Sequence, residues 1–386
     1  MRIAVAATAG AMAAALAAPS MAELPKKVML TAYGVGTSGY SQAVALGAAL
    51  KNNAGVTMRV LPGKNDLSRL APVRSGKADF SFNGLGTFMS QEAAFVFAKR
   101  SWGPQKTRVL AFNFGDNCLI PYVAGDIGVK TAYDLKGKRV AVIKAAPALN
   151  YNVYTYLRFA GLTWDDVERV EFGGSRAAQE AIANGKADVA FTSTISNYPR
   201  KQEATPRGLS WPATPHNDEE GWKRFFEAGP YYIKKQCTDG VGLSKDKPLD
   251  GALYPYPVFM SYPNISDDVA YEMTKTLFEN YDAMKDAAPG MKGWNIDNQK
   301  LSWVVPIHNG AVRYYKEIGK WTAADQENTD NMLRRQDVVG AAWDATSAAH
   351  KGDDDATFYA AWKTNRAEAL KAAGFAPVWT EWPDPK

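Results

Sequence analysis

Cysteine and histidine are nearly absent from this 386-residue chain, which has two Cys and three His. Two cysteines exclude a disulfide-scaffold protein and a multi-cysteine zinc or iron–sulfur site. His216, His308 and His350 are too far apart for a His-x-x-x-His metal motif. No metal and no cofactor is therefore expected. A strong charge of either sign is also missing: 45 Lys and Arg against 40 Asp and Glu give a net +5, too mild and too evenly spread for nucleic-acid binding. Beyond the first 22 residues no uncharged run is long enough to span a bilayer. Nucleophile motifs are lacking too, with no G-x-S-x-G elbow and no S-x-x-K followed by K-T-G. What is present is ordinary globular material, 46% hydrophobic and 22% charged. At ~150 residues per domain the length suits two domains or one bilobal body.

The chain opens Met1-Arg2 and then runs without charge from Ile3 to Ala22, mostly as alanine, closing on Pro19-Ser20-Met21-Ala22. This pattern predicts a secretory signal peptide cut after Ala22 and a periplasmic mature protein. A single N-terminal membrane anchor is the alternative. Cys118 and Cys237 would then lie in an oxidising space where pairing is available to them, but sequence does not place their Cα atoms within reach.

Short apolar runs alternate with helical spacing along the first half. Residues 28–33 read as a strand, 34–39 as a glycine-rich loop, 40–52 as a helix, 56–61 as a strand and 67–75 as a helix. The phrase Ser75-Gly76-Lys77-Ala78-Asp79-Phe80 returns as Asn184-Gly185-Lys186-Ala187-Asp188-Val189. The echo is preceded by strands at 138–143 and 168–172 and helices at 147–160 and 175–183. Two similar α/β lobes with parallel strands follow from this order. Further on, 258–260 reads as a strand that crosses between lobes, 269–284 as one helix, and the stretch after Trp321 as helical. Asp353-Asp354-Asp355 has no calcium-ligand spacing and reads as a solvated turn.

Gly34-Val35-Gly36-Thr37-Ser38-Gly39 matches G-x-G-x-x-G between a strand and a helix. A dinucleotide would need an acidic residue at the end of the second strand, and that strand ends Val60-Leu61-Pro62-Gly63. A structural turn and a small-ligand loop remain open, the latter because N–H groups at a helix start attract anions. Lys64 and Lys144 lie in equivalent loops after strands, where ligands of open α/β sheets collect, so both are expected to flank one crevice and to favour a carboxylate. Candidate ligand-binding residues are Tyr33, Gly36, Thr37, Ser38 and Tyr40 from the opening loop and Lys64 and Asn65 from the next. To these are added Asn83 and Gly84, Lys144 and Asn150, and Thr192, Ser193, Thr194 and Asn197, polar groups suited to orienting a small ligand. His308, beside Pro306 and ahead of a helix, reads as a helix start or structural hydrogen bond. Tyr151, Tyr154 and Trp343 lie at helical spacing and read as core or cover. No catalytic residue is expected.

Four segments together resemble the TRAP-associated extracytoplasmic immunogenic (TAXI) family, solute-binding subunits of one class of tripartite ATP-independent periplasmic transporters. They are residues 34–40; residues 67–82; residues 134–142 with Ala160-Gly161-Leu162 and Asp165-Asp166-Val167; and Pro306-Ile307-His308-Asn309-Gly310-Ala311-Val312-Arg313-Tyr314-Tyr315-Lys316-Glu317. The last is similar to the family's His-Pro-Gly-Ala-x-Arg-Tyr-Tyr element. Lys64 departs from the family's small hydroxyl residue and Lys144 from its glycine-rich loop. The resemblance implies an α/β, two-lobed periplasmic binding protein fold with hinge-crossing strands, a ligand cleft and a helical C-terminal extension. Lobe 1 would comprise residues 23–123 and 258–320, lobe 2 residues 124–257, and the extension residues 321–386, with crossings at 118–123 and 258–262. It further implies a monomeric binding subunit, not an enzyme. That subunit would capture a small organic anion such as a dicarboxylate, 2-oxo acid or acidic amino acid for TRAP membrane permease subunits. An ABC-type binding protein and a secreted enzyme on the same scaffold are the alternatives.

Overall fold

The computed structural model describes residues 24–380 and 382; the expected signal peptide lies outside the described residues. The first sheet is built from β1 (Lys27–Ala32), β2 (Thr57–Pro62), β3 (Phe80–Asn83) and β4 (Arg108–Phe112). Helices α1 (Ser38–Ala54) and α2 (Asp66–Arg74) connect its parallel strands, and α3 (Leu85–Gln91) follows β3. The second sheet takes β5 (Leu119–Ala124), β6 (Arg139–Ile143), β7 (Glu168–Phe172), β8 (Val189–Ser193) and β9 (Leu209–Ser210), with α4 (Pro147–Phe159), α5 (Ser175–Ala183) and α6 (Asn197–Glu203) as its helices. Then come α7 (Glu219–Ala228), the antiparallel hairpin β10 (Ile233–Cys237) and β11 (Leu249–Leu253), and β12 (Val258–Ser261). After β12 the chain is helical: α8 (Asp267–Glu279), α9 (Tyr281–Met284), α10 (Asn309–Glu317), α11 (Ala323–Ala349) and α12 (Asp355–Ala372).

The strand orders are β2-β1-β3-β12-β4 and β7-β6-β8-β5-β9. In each sheet three parallel strands adjoin one antiparallel strand, β12 in the first and β5 in the second. Both antiparallel strands are entered directly after the chain has passed from the other lobe. The crossings are therefore residues 113–118 and 254–257, a few residues earlier than the sequence reading of 118–123 and 258–262. The reason is that β5 is buried along its whole length. A uniformly buried run looks the same whichever sheet it joins, and only its pairing with β8 assigns it. The result is a two-lobed α/β fold with a mixed five-stranded sheet in each lobe.

The echoed phrases do the same work in both lobes. The Asp79 carboxylate accepts the Met29 N–H at 2.7 Å and its own N–H donates to the Met29 carbonyl at 2.9 Å. The Asp188 carboxylate accepts the Arg139 N–H at 3.2 Å and its own N–H donates to the Arg139 carbonyl at 2.8 Å. Each aspartate thus ties the strand it enters to the first parallel strand of its lobe.

The expected helix over 269–284 is two, because Asn280 closes α8 by donating its side-chain amide to the Thr276 carbonyl at 2.8 Å. Cys118 and Cys237 form a disulfide, with Cα atoms 5.5 Å apart, which ties the β10–β11 hairpin to the first crossing. His308 caps α10, its Nδ1 accepting the Gly310 N–H at 3.2 Å. Asp354 caps α12 within an exposed turn. The C-terminal helices pack on the first lobe around Glu92, which is fully buried and bonded to Arg335 (2.7 and 2.9 Å) and Arg366 (2.8 Å). Beyond α12 the chain places Trp379 against Phe88 and Phe95 of the first lobe and Tyr151 of the second, with ring centroids 4.9, 5.8 and 6.0 Å apart.

Candidate functional site

Between the lobes lies a small cavity of about 40 Å³, enough for about three waters. It is walled by the carboxyl ends of parallel strands and the helix starts that follow them. Thr37 (the α1 cap), Asp66 (first residue of α2), Ala148 (first turn of α4) and Ser175 (first residue of α5) all line it. Four helix N-termini therefore point their positive ends at one space, a field that favours an anion.

Arg69 is the cation of the site. It is 3% exposed and lines the cavity from α2. Its Nη2 donates to the Asp66 carboxylate, its Nε to the Asn83 Oδ1 at 3.4 Å, and its guanidinium lies over the Tyr33 ring at 4.1 Å. Among the described residues no hydrogen bond engages Nη1. Burial pushes the Asp66 carboxyl above its usual range, opposed by Arg69 and by the Ala148 N–H. Tyr33, Tyr254 and Tyr256 form an aromatic wall, with Tyr33 and Tyr256 rings 4.9 Å apart. Burial pushes the Tyr256 hydroxyl up to about 12 and the Tyr33 hydroxyl well above its ordinary value, so both stay protonated.

The glycines of this region make room for Tyr33. A Cβ on Gly39 would stand 2.6 Å from its ring, and one on Gly84 2.7 Å from its hydroxyl. Gly36, at φ +95°, has a different task at the seam between lobes. Its carbonyl accepts the Asn197 N–H at 3.3 Å, the Val35 carbonyl accepts the Tyr198 hydroxyl at 3.1 Å, and a Cβ on Gly36 would lie 3.2 Å from that hydroxyl oxygen. The G-x-G-x-x-G loop thus meets the opposite lobe. Asp66 makes a further link, accepting the Ala148 N–H across the seam at 3.0 Å.

Of the residues expected from sequence, Tyr33, Thr37, Thr192 and Ser193 line the cavity. Ser38 is buried beside Tyr256, and Asn83 and Gly84 stand directly behind Arg69 and Tyr33. Others serve the scaffold. Asn65 caps α2 through the Ser68 N–H at 2.9 Å. Asn150 clamps both backbone groups of Ile143, at 2.8 and 2.9 Å. Thr194 accepts the Cys118 N–H at 3.1 Å and donates to the Asp239 carbonyl at 2.7 Å. Tyr40 is half-buried on α1 and outside the lining, and Asn197 is exposed apart from its seam contact.

Lys64 and Lys144 do not meet in this cavity; both are exposed. Lys64 stands at the rim, its Cβ 3.8 Å from where a Cβ on Gly174 of the second lobe would lie. Lys144 lines a separate open groove with Tyr151 and Trp164. Equivalent positions after strands do not fix where a long side chain goes, and a lysine stays solvated unless paired. The sequence reading missed Arg69, Asp66, Gln179, Tyr254 and Tyr256. The Asp66–Arg69 spacing of three residues on a helix was a usable signal for an ion pair, but nothing local marked that face as buried.

A model of the NMT1-like family matches residues 29–319. Among solved structures, the chain is similar to the alkanesulfonate-binding protein SsuA from Xanthomonas axonopodis pv. citri, at 14% identity and TM-score 0.43 over 80% of this chain and 84% of that one. It is similar to an ancestral arginine-binding protein at 13% identity and TM-score 0.42, over 76% and 98%. It is similar also to the periplasmic aliphatic sulphonate binding protein SsuA from Escherichia coli at 13% identity and TM-score 0.40, over 81% and 88%.

Proposed function

The chain belongs to the NMT1-like family, and on that premise we propose that it is the extracytoplasmic solute-binding subunit of a membrane transporter, holding a small carboxylate between its lobes. The observation that carries this is Arg69, a buried guanidinium on the cavity wall whose Nη1 carries no hydrogen bond among the described residues, set where four helix N-termini converge. Charge-assisted bonds from a guanidinium to a carboxylate are among the strong ones, and the helix starts add to the same field. Tyr33 and Thr37 serve from the first lobe, Ser175, Thr192 and Ser193 from the second. Lys64 at the rim draws anions inward. A ligand touching both lobes shifts the population from open to closed about residues 113–118 and 254–257. Binding and release are the whole task, and no bond is made or broken.

The expected signal peptide and the Cys118–Cys237 disulfide support export to the periplasm. The partner we propose is a TRAP permease, supported by the segments through residues 306–317. The test has two parts. A thermal-shift screen of residues 23–386 against carboxylates should raise the midpoint, since a ligand at a hundred times its Kd adds ~2.7 kcal/mol. Vesicles carrying the candidate permease should then take up that ligand on an ion gradient. Uptake that requires ATP assigns the ABC alternative, and chemical conversion of the ligand assigns the enzyme one.

A further inference from the structure

Gln179 lines the same cavity from α5, on the lobe opposite Arg69, and is 4% exposed. Its amide cannot flip freely. Nε2 donates to the Phe191 carbonyl at 2.7 Å, and the opposite orientation would set two oxygens against each other. The Gln179 carbonyl on the main chain is held as well, by the Tyr122 hydroxyl at 3.0 Å. The side-chain Oε1 is buried and has no partner. Among the described residues that line the cavity, no other has a fully buried side-chain nitrogen or oxygen left in this state. The free Nη1 of Arg69 calls for an acceptor at one wall, and the free Oε1 of Gln179 calls for a donor at the other.

We infer that Gln179 is a specificity-determining residue that selects carboxylates bearing a hydrogen-bond donor, a hydroxyl or ammonium group, over otherwise matched acids bearing a carbonyl there. This rests on the carboxylate-binding reading of the same site. With the cavity in its ligand-free form Oε1 has no donor, so a ligand that fills the space must supply one or leave the oxygen unpaired. Sites built around such a bond reject analogues that lack it far more strongly than apolar pockets reject a size change.

The test is isothermal titration of residues 23–386 with two matched sets: lactate and alanine against pyruvate, and 2-hydroxyglutarate and glutamate against 2-oxoglutarate. The wild type should bind a donor-bearing member at least tenfold more tightly than its oxo counterpart. In Gln179→Met that ratio should fall to within about threefold. The ratio is the readout because loss of a merely structural bond would weaken both members together and leave it unchanged. A wild-type ratio near one, or a ratio unchanged in Gln179→Met, overturns the inference. If that binding still depends on Arg69, the carboxylate reading stands without it. Failure of every acid to bind overturns both.

Discussion

The Asp66 carboxylate of the first lobe accepts the Ala148 N–H of the second at 3.0 Å while also meeting the Arg69 guanidinium. One buried side chain therefore orients the cation of the site and joins the lobes that close over it. Asp66→Ala removes the seam bond and leaves Arg69 buried without its counter-charge. Breaking a buried pair by deleting one partner costs ~3–5 kcal/mol. Arg69→Met added to Asp66→Ala should cost less than the sum of the two single changes, because no orphaned charge remains. Urea unfolding of the three variants measures this, and simple additivity would show that the pair does not act as a unit.

The same reasoning applies to the C-terminal helices. Glu92 is bonded to both Arg335 and Arg366, and among the described residues it is their one shared carboxylate; all three are buried. Glu92→Gln keeps the shape and leaves two guanidinium groups facing a neutral amide. We expect ~3–5 kcal/mol of destabilisation and a lower thermal midpoint. A loss below ~1 kcal/mol would mean that the C-terminal helices are held by apolar packing alone.

Much of this architecture was legible in the sequence, for physical reasons. Strand β7 and helix α5 follow from apolar spacing and turn residues, and the echoed Gly-Lys-Ala-Asp phrase marks two lobes without reference to any contact. Asp79 and Asp188 turn out to make the same strand-to-strand bonds, so the echo is a structural device and not a ligand motif. The site was less legible. Tyr33, Thr37, Thr192 and Ser193 could be placed because they follow strands at their carboxyl ends. Arg69 could not, since its burial is created by Tyr33 and by the arrival of the second lobe, contacts far apart along the chain. Lys64 and Lys144 looked equivalent by position, but solvation decides where an ammonium group settles.

Asp188 gives a pH prediction. Its carboxyl is held down to about 2 by hydrogen bonds from Arg139, with Arg207 adding to them. An acid whose native value is depressed adds stability that is complete above its unfolded value of about 3.9 and is lost as the proton goes on. Stability should therefore fall between about pH 4 and pH 2, and Asp188→Asn should flatten that part of the profile. Equal slopes in wild type and variant, followed by urea unfolding across that range, would remove Asp188 from the account.

The most direct test of the central claim is the affinity of the Arg69 variant for the carboxylate that binds the wild type best. A charged hydrogen bond is worth ~1.5–3 kcal/mol, so Arg69→Gln should weaken binding tenfold or more by isothermal titration. Arg69→Lys, which keeps the charge, guards against a variant that fails to fold. Lys144→Ala should change affinity by less than about threefold, and Lys64→Ala should slow association while leaving most of the affinity. Retained affinity in a folded Arg69→Gln, or an equal loss in Lys144→Ala, would contradict the assignment of the interlobe cavity as the place where the anion is held.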